Sequence, residues 1–374
     1  MGWLAISLVV RWLLGWMLAL HFAELPPGQP SQRRRLVVLI PARNEAATLP
    51  HLLAALARQQ RRPDALIVVD DHSSDGTADV ARRCAGDLPL QLIQPPPPPD
   101  GWCGKTWALH QGVLASAADP AETPADPDTV LVFLDADTEP QPEFLQRLLA
   151  AQERLGGLVS VQPFHRTERP YEQLSVLFNL VGLMAVPLGG GCGVAFGPAI
   201  ATSRRDYARS GGHAAVAGKV VEDWFLAHCY ERAGLPVSAF IGDRQIAYRM
   251  YPGGLADMVI GFDKNFATAA GEVRWPWMLA VLLWLSGLFW AAWCLPAALF
   301  GWPIVGSAQL APNLLIYALF ALQLLWLTRR VGRFSWINLV FPLPVLFFLG
   351  VFVLAILNLE RGEVHWKGRR FRTR

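Results

Sequence analysis

The sequence predicts an α/β protein in which a doubly wound, mostly parallel sheet is inserted between an N-terminal transmembrane helix and a C-terminal transmembrane helical bundle. Three observations carry this. Short apolar runs rich in β-branched residues alternate with helical patterns from residue 36 to about 162. Two of these runs end abruptly in carboxylates, at Asp70-Asp71 and at Asp135-Ala-Asp137. Long apolar segments flank the whole and raise the hydrophobic share to 53%, against 17% charged, which points to a bilayer.

Residues 3–22 are apolar except for Arg11 and His21, and about 20 helical residues suffice to cross a bilayer. No basic stretch precedes them, so residues 1–24 read as an anchor and not as a cleaved signal. A Pro/Gly-rich linker, residues 25–35, ends in Arg33-Arg34-Arg35, which by the positive-inside rule places the middle of the chain in the cytoplasm. That compartment holds nucleotide-activated substrates.

The expected cytoplasmic domain spans residues 36–272. A strand at 36–40 leaves through Pro41-Ala42-Arg43-Asn44-Glu45 into a helix at 46–60, with Leu49, Leu52, Leu53 and Leu56 on one face. A second strand at 65–69 runs into Asp70-Asp-His-Ser-Ser-Asp-Gly76, followed by a helix at 77–84 and a short strand at 90–93. Pro95 to Pro99 form a stiff spacer. No Gly-x-Gly-x-x-Gly occurs, so the dinucleotide fingerprint is absent.

Gly101-Trp-Cys-Gly-Lys105-Thr106 is not a P-loop, because Pro99 stands where the first glycine is required and no strand precedes. Lys105 opens a helix to about residue 117, where it could meet phosphate together with the helix N-terminal amides, or could be a solvated lysine. The strand at 130–134 then delivers Asp135 and Asp137. Such a pair can share one hard divalent cation, or Asp135 can cap the next helix, and the stretch alone leaves both open.

A helix at 143–155 and a strand at 158–162 follow. Residues 171–188, bounded by Pro170 and Pro187, are too short for a comfortable span and read as an interfacial helix. The glycine-rich stretch containing Gly191, Cys192 and Gly193 either lets backbone approach a ligand or is a flexible turn before a strand. His213 has no partner at metal-ligand spacing and reads as a loop or acceptor contact. Glu222 and Asp223 open an amphipathic helix, where they complement its dipole or supply a general base. Strands at 237–239 and 245–249 and a helix at 261–270 carrying Lys264 complete the domain.

Beyond residue 272 only Glu360 and Glu363 are acidic, and segments 277–300, 313–327 and 336–359 form the bundle, residues 273–360. Three simple crossings would separate Arg329, Arg330 and Arg333 from the basic tail at 361–374, which breaks the charge rule. Pro342 and Pro344 offer a way out by splitting the last segment. The uneven net charge of +3 gives no argument for nucleic acid, and five scattered cysteines form no zinc spacing.

Taken together, Pro41-x-x-Asn44-Glu45, the Asp70 to Gly76 turn, Asp135-Ala-Asp137 and Glu222-Asp223 resemble, in kind and order, the motifs of glycosyltransferase family 2. Gln162-Pro163, Arg169-Pro-Tyr-Glu-Gln-Leu174, Phe196-Gly-Pro198, Gly211-Gly-His213 and Arg249-Met-Tyr-Pro252 are most similar to its membrane-bound carotenoid (4,4'-diaponeurosporenoate) glycosyltransferases. Hopanoid-associated and ceramide glycosyltransferases share the layout more loosely. The Gln-x-x-Arg-Trp motif of processive relatives is missing, which argues against a polysaccharide synthase.

The resemblance implies a GT-A fold and inverting transfer of a hexose, glucose foremost, from a UDP-sugar to a membrane lipid such as a carotenoid or other polyisoprenoid. Polyprenyl phosphate, hopanoid, sphingolipid and diacylglycerol are alternative acceptors, and a catalytically silent membrane scaffold is the non-enzyme alternative. Implied donor-binding residues are Pro41, Ala42, Asn44, Glu45, Asp70, Asp71, Lys105, Asp135 and Lys264. Mg2+ or Mn2+ would sit on Asp137 with Asp135, and Asp223, with Glu222, would be catalytic. Gly191, Cys192, Gly193, His213 and Arg249 would face the acceptor. The implied location is the bacterial inner membrane, multi-pass, with the catalytic domain cytoplasmic.

Overall fold

The computed structural model describes residues 3–117, 126–219, 221–269, 274–300, 310–361, 363–366 and 369–372. In chain order its elements begin with α1 (Trp3–Ala19), β1 (Leu36–Ala42), α2 (Leu49–Ala57), β2 (Ala65–Asp70), α3 (Thr77–Cys84) and β3 (Leu90–Ile93). Next come α4 (Gly104–Ala117), β4 (Val130–Leu134), β5 (Thr138–Pro140), α5 (Phe144–Leu155), β6 (Leu158–Gln162), β7 (Phe164–His165) and α6 (Val176–Met184). Then follow β8 (Ala199–Ser203), α7 (Arg204–Ser210), α8 (Glu222–Arg232), β9 (Val237–Ile241), β10 (Ile246–Tyr248) and α9 (Leu255–Ala269). The chain closes with α10 (Trp275–Phe300), α11 (Leu310–Thr328), α12 (Pro342–Arg361), β11 (Glu363–Trp366) and β12 (Arg369–Arg372).

These elements form two compact units. A sheet unit comprises Ala23–Phe164 and Leu188–Tyr248, and a helical unit comprises Met1–Phe22, His165–Pro187 and Arg249–Arg374. The division differs from a continuous domain at 36–272: residues 165–187 and the chain from Arg249 go with the helices, where Phe178 stacks on Phe262.

In the sheet unit seven strands take the order β3-β2-β1-β4-β8-β6-β9. β1 pairs in parallel with β2 and β4, and β6 with β9, while β8 is antiparallel to both of its neighbours. The continuous apolar runs are explained by burial on both faces. On β1, Val38 and Ile40 meet Leu49, Leu52, Leu53 and Leu56 of α2 in one core. The alternate residues Val37 and Leu39 meet Leu109, Val113, Leu226 and Tyr230 in the other. Each such buried side chain is worth about 1.5–3 kcal/mol, so the sheet's register is strongly fixed.

The helix expected at 46–60 starts only at Leu49. Its would-be first turn is taken by the acidic loop: the backbone N–H groups of Asn44, Glu45 and Ala46 donate to Ser73 Oγ, Thr77 Oγ1 and Asp75 Oδ2 at 2.9–3.0 Å. Asn44, at φ 56°, turns the chain towards those acceptors.

In the helical unit α10 and α11 contain segments long and apolar enough to cross a membrane, Trp275–Ala297 and Ala311–Thr328. The N-terminal helix is shorter than the 3–22 segment suggested, at 17 residues, and it packs beside both. Trp284 Nε1 donates to Gln323 Oε1 (3.0 Å), Gln323 Nε2 to the Trp12 carbonyl (2.7 Å) and Trp12 Nε1 to the Leu319 carbonyl (3.0 Å), a chain of polar contacts that fastens α1, α10 and α11. Large apolar side chains, among them Leu282, Trp293, Leu315, Leu322 and Trp326, face outwards. The last apolar segment is split: Trp336–Asn338 forms a 3-10 turn, and Pro342 opens α12 at a position where its missing N–H costs nothing.

The interfacial helix expected at 171–188 is not there. Pro170–Ser175 is a 3-10 turn, and α6 is buried around most of its circumference, with Phe178 stacked on Phe262 at 4.0 Å. Its one polar side chain, Asn179, is held by His165 Nδ1 and the Ser175 carbonyl at 3.0 Å, so the helix has no polar face to turn to a membrane surface. The two strands β11 and β12 pair as an antiparallel hairpin within the basic tail.

Candidate active site

Parallel strands leave their C-terminal ends open on one side of a sheet, and polar residues gather there. β1 and β2 end in register, Ala42 opposite Asp70. The Asp70 carboxylate folds back to accept the Ser73 N–H at 3.0 Å, so it holds its own turn. Asp71 receives Arg43 Nη1 at 3.0 Å and its N–H donates to the Ala42 carbonyl at 2.8 Å. Arg43 had no role assigned from sequence; its place in the Pro41 to Glu45 turn was the available signal. Glu45 accepts the Thr48 hydroxyl at 2.6 Å.

β4 brings Asp135 to the same edge. The antiparallel β4–β8 ladder extends one step beyond Leu134 opposite Ala199, with the Asp135 N–H donating to the Pro198 carbonyl at 3.0 Å. That step sets Gly197 beside the first turn of α8, where its N–H donates to Asp223 Oδ2 at 2.6 Å. A Cβ on Gly197 would lie 3.2 Å from that oxygen and 3.4 Å from Lys105 Nζ, so only glycine leaves the contact undisturbed. Neighbouring Phe196 is fixed by its N–H to Ser160 Oγ at 3.1 Å.

Lys105, in the first turn of α4, joins the two halves: Nζ lies 2.8 Å from Asp135 Oδ1 and 3.0 Å from Glu222 Oε1. Burial alone would drive its proton off, but Asp135 and Glu222 outweigh burial and hold the ammonium well above its ordinary range. The solvated-lysine alternative does not describe this residue. Asp137 is pushed up to about 7 by burial first and then by Asp135 and Glu45, with Lys105 opposing. Asp223 is raised to about 6 by burial and by Glu222, again with Lys105 opposing.

Among the described residues no three His, Cys, Asp or Glu side chains converge into a metal cage. Asp135 and Asp137 nonetheless fit a divalent ion. Two carboxylates with a third, Glu45, near enough to disturb Asp137 form a donor set short of positive charge. Mg2+-like ions are held by one or two carboxylates and complete their shell with substrate phosphates and water.

The residues expected to face an acceptor have these surroundings. The Gly189 N–H and C=O pair with Ala239, the Gly191 N–H donates to Ser238 Oγ (3.2 Å) and the Gly193 N–H to the Val237 carbonyl (3.2 Å). Cys192 donates to the Val194 carbonyl at 3.6 Å. This glycine-rich stretch therefore approaches the chain's own β9. His213 is 1% exposed, buried in the sheet unit within electrostatic reach of Glu222 and Lys105. Its backbone N–H donates to the Tyr207 hydroxyl at 2.9 Å, which leaves that O–H to face His213 Nδ1 at 2.8 Å, and burial lowers the ring to about 3.

Arg249 belongs to the helical unit. There its guanidinium holds Glu172 Oε1 (2.6 and 3.0 Å) and Glu168 Oε2 (2.7 Å), while Tyr171 donates to the Tyr251 carbonyl at 2.8 Å. The two motifs that contain Arg169 and Arg249 thus interlock, and Arg249 is answered inside the protein. The Lys264 side chain lies outside the described residues.

A family model described as Glycosyl transferase family 2 matches residues 37–180. A 4,4'-diaponeurosporenoate glycosyltransferase of Staphylococcus haemolyticus (strain JCSC1435) is 32% identical over 366 residues, covering 94% of this chain and 92% of the relative. One of Staphylococcus aureus (strain MRSA252) is 33% identical over 353 residues, covering 90% and 88%. Among solved structures, the mannosyltransferase PcManGT from Pyrobaculum calidifontis, in complex with GDP-Man and Mn2+, matches with a TM-score of 0.54 at 21% identity, over 95% of this chain and 98% of that one. This last likeness concerns the fold.

Proposed function

The chain belongs to glycosyltransferase family 2, and from that premise we propose that it transfers a hexose, glucose foremost, from a UDP-sugar to the carboxylate of a carotenoid or related polyisoprenoid lipid, with inversion. The observation that carries the reading is the bridge from Lys105 to Asp135 and Glu222, one residue from Asp223, at the open end of the parallel strands. The names of the staphylococcal relatives support the acceptor class.

In this reading Asp71, held by Arg43, and the Pro41 to Glu45 turn receive the nucleoside. A divalent cation, Mg2+ or Mn2+, on Asp137 beside Asp135 would supply the positive charge that a departing diphosphate requires. Lys105 adds a fixed cation at the helix start, and preorganised charge of this kind is usually the largest single contribution to catalysis. The acceptor oxygen bonds to the anomeric carbon from the face opposite the leaving group, and the bond from that carbon to the diphosphate breaks.

The acceptor decides what Asp223 does. A hydroxyl needs a base, and a group raised to about 6 is well matched to that task at neutral pH. A carboxylic acid is already ionised there, since carboxyl groups titrate near 4. Asp223 then orients the acceptor and the Gly197 backbone without taking a proton. Asp223→Asn is accordingly expected to keep most of its turnover on a carotenoid carboxylate, measured as metal-dependent UDP release in detergent. A loss of about 10²-fold or more would reject the carboxylate acceptor in favour of a hydroxyl.

We place the helical unit in the bacterial cell membrane as a multi-pass bundle with the sheet unit cytoplasmic. The outward apolar side chains of α10 and α11 and the arginines that follow the N-terminal helix support this. Cys84, exposed on α3, reports the side. A membrane-impermeant maleimide should label it only after cells are opened; labelling in intact cells would invert the topology.

A further inference from the structure

The proposed donor and metal residues lie at the C-terminal ends of β1, β2 and β4. At the N-terminal ends of β1 and β2 lies an open cleft of about 640 Å³ lined by Ser31, Arg33, Arg34, Arg61, Arg62 and Asp64, among others. The arginine run that closes the linker forms one wall, and the pair following α2 forms the other.

The charges in this cleft are unevenly answered. Arg61 is committed: Nη2 holds Asp64 Oδ2 and donates to the Arg34 carbonyl at 2.9 Å. Asp64 also accepts the Leu36 N–H at 2.8 Å, so its capacity is used in closing the start of β1. Arg33 reaches Asp64 only at 3.9 Å, and its side chain is 87% exposed. Arg62 forks onto Asp87 with both nitrogens at 2.8 Å, but the two partners are 40% and 75% exposed, so water and salt screen that bridge. Arg34 Nη2 is buried and makes no hydrogen bond. Glu153, the opposing charge Arg34 senses, is engaged with the Ser31 N–H (2.8 Å) and hydroxyl. Four guanidiniums therefore face three carboxylates, Asp64, Asp87 and Glu153, which leaves one positive charge in surplus, and Glu153 already accepts from Ser31. A water could satisfy the orphaned N–H of Arg34 but would leave the surplus charge. An anion answers both, and a planar guanidinium fork suits a phosphate.

We propose that this cleft binds a phosphate group, separately from the catalytic site. The group is either the headgroup phosphate of an anionic phospholipid or a free phosphate. The test uses the full-length protein in detergent, with native mass spectrometry against phosphatidylglycerol and phosphatidylcholine, and calorimetric titration with pyrophosphate without divalent ions. The wild type is compared with Arg33→Gln/Arg34→Gln. The catalytic cleft contributes equally to both proteins, so the difference reports the arginine cleft.

A headgroup ligand predicts that phosphatidylglycerol is preferred over phosphatidylcholine by about tenfold and that the double variant loses the preference. A free-phosphate ligand predicts a pyrophosphate site that weakens by about tenfold in the variant and fades with added salt. Should the double variant fail to fold, Arg33→Gln/Arg62→Gln, both at exposed positions, provides the same comparison. Equal binding of both probes by wild type and variant would overturn the proposal.

Discussion

Replacing Lys105 by Met keeps most of the side chain's bulk and removes the ammonium that bridges Asp135 and Glu222. At an effective dielectric of about 20, each of its two contacts, 2.8 Å to Asp135 and 3.0 Å to Glu222, represents about 6 kcal/mol of gross attraction. Desolvation of the ions cancels most of that. The three side chains are only 25%, 28% and 11% exposed, and breaking a buried pair from one side costs about 3 kcal/mol or more, because the partners keep their charge.

For a sheet unit of this size about 3 kcal/mol corresponds to a drop of about 6–12 °C in Tm at pH 7. The loss should also depend on pH. Asp137 and Asp223 already sit at about 7 and about 6, above their unfolded values, so they weaken the folded state once ionised and are relieved by protonation. Without Lys105 both rise further. The gap between wild type and variant should therefore shrink as pH falls from 7 towards 5. Thermal unfolding of the detergent-solubilised protein, read by tryptophan fluorescence at both pH values, measures this. A gap under about 1 kcal/mol at pH 7, or one unchanged at pH 5, would refute the assignment of Lys105 as the counter-charge of this edge.

Gly197→Ala pushes a methyl against Asp223 and Lys105 at 3.2 and 3.4 Å, and should lower kcat about tenfold with little change in Tm; an unaltered kcat would detach Gly197 from the site. Glu172→Gln removes the buried one of the two carboxylates that answer Arg249 and leaves only the half-exposed Glu168, which should cost about 3 kcal/mol at pH 7. Burial would raise the Glu172 carboxyl, but Arg249 and two backbone N–H groups hold it below its ordinary range. Its contribution is thus present above the unfolded pKa, and wild type and variant should converge as pH falls through the folded value. With an alcohol acceptor, kcat/KM should climb with pH up to about 6, where Asp223 ionises, and then level; a flat profile would remove Asp223 as the base.

Much of the sheet was legible because its signal is local. Buried strands such as β1, β2 and β4 are short apolar runs, and their abrupt acidic endings mark the open edge of the sheet. Local signals also placed Lys105 at a helix start and split the last apolar segment at Pro342. What failed to show was pairing at a distance. Nothing near Gly197 announces that its amide holds Asp223, 26 positions on, or that Tyr207 and His213 close on each other inside the core. The segment around α6 was misjudged because apolarity alone does not distinguish a membrane surface from a protein interior.

Mass spectrometry of lipids from cells making the wild-type chain, Asp137→Asn, or neither reads donor, acceptor and site together. A hexose ester of a carotenoid carboxylate should accumulate with the wild type alone, and purified wild type should form it from the UDP-hexose only when Mg2+ or Mn2+ is present. An unchanged lipid profile, or the same ester from Asp137→Asn at wild-type levels, would contradict the proposed reaction.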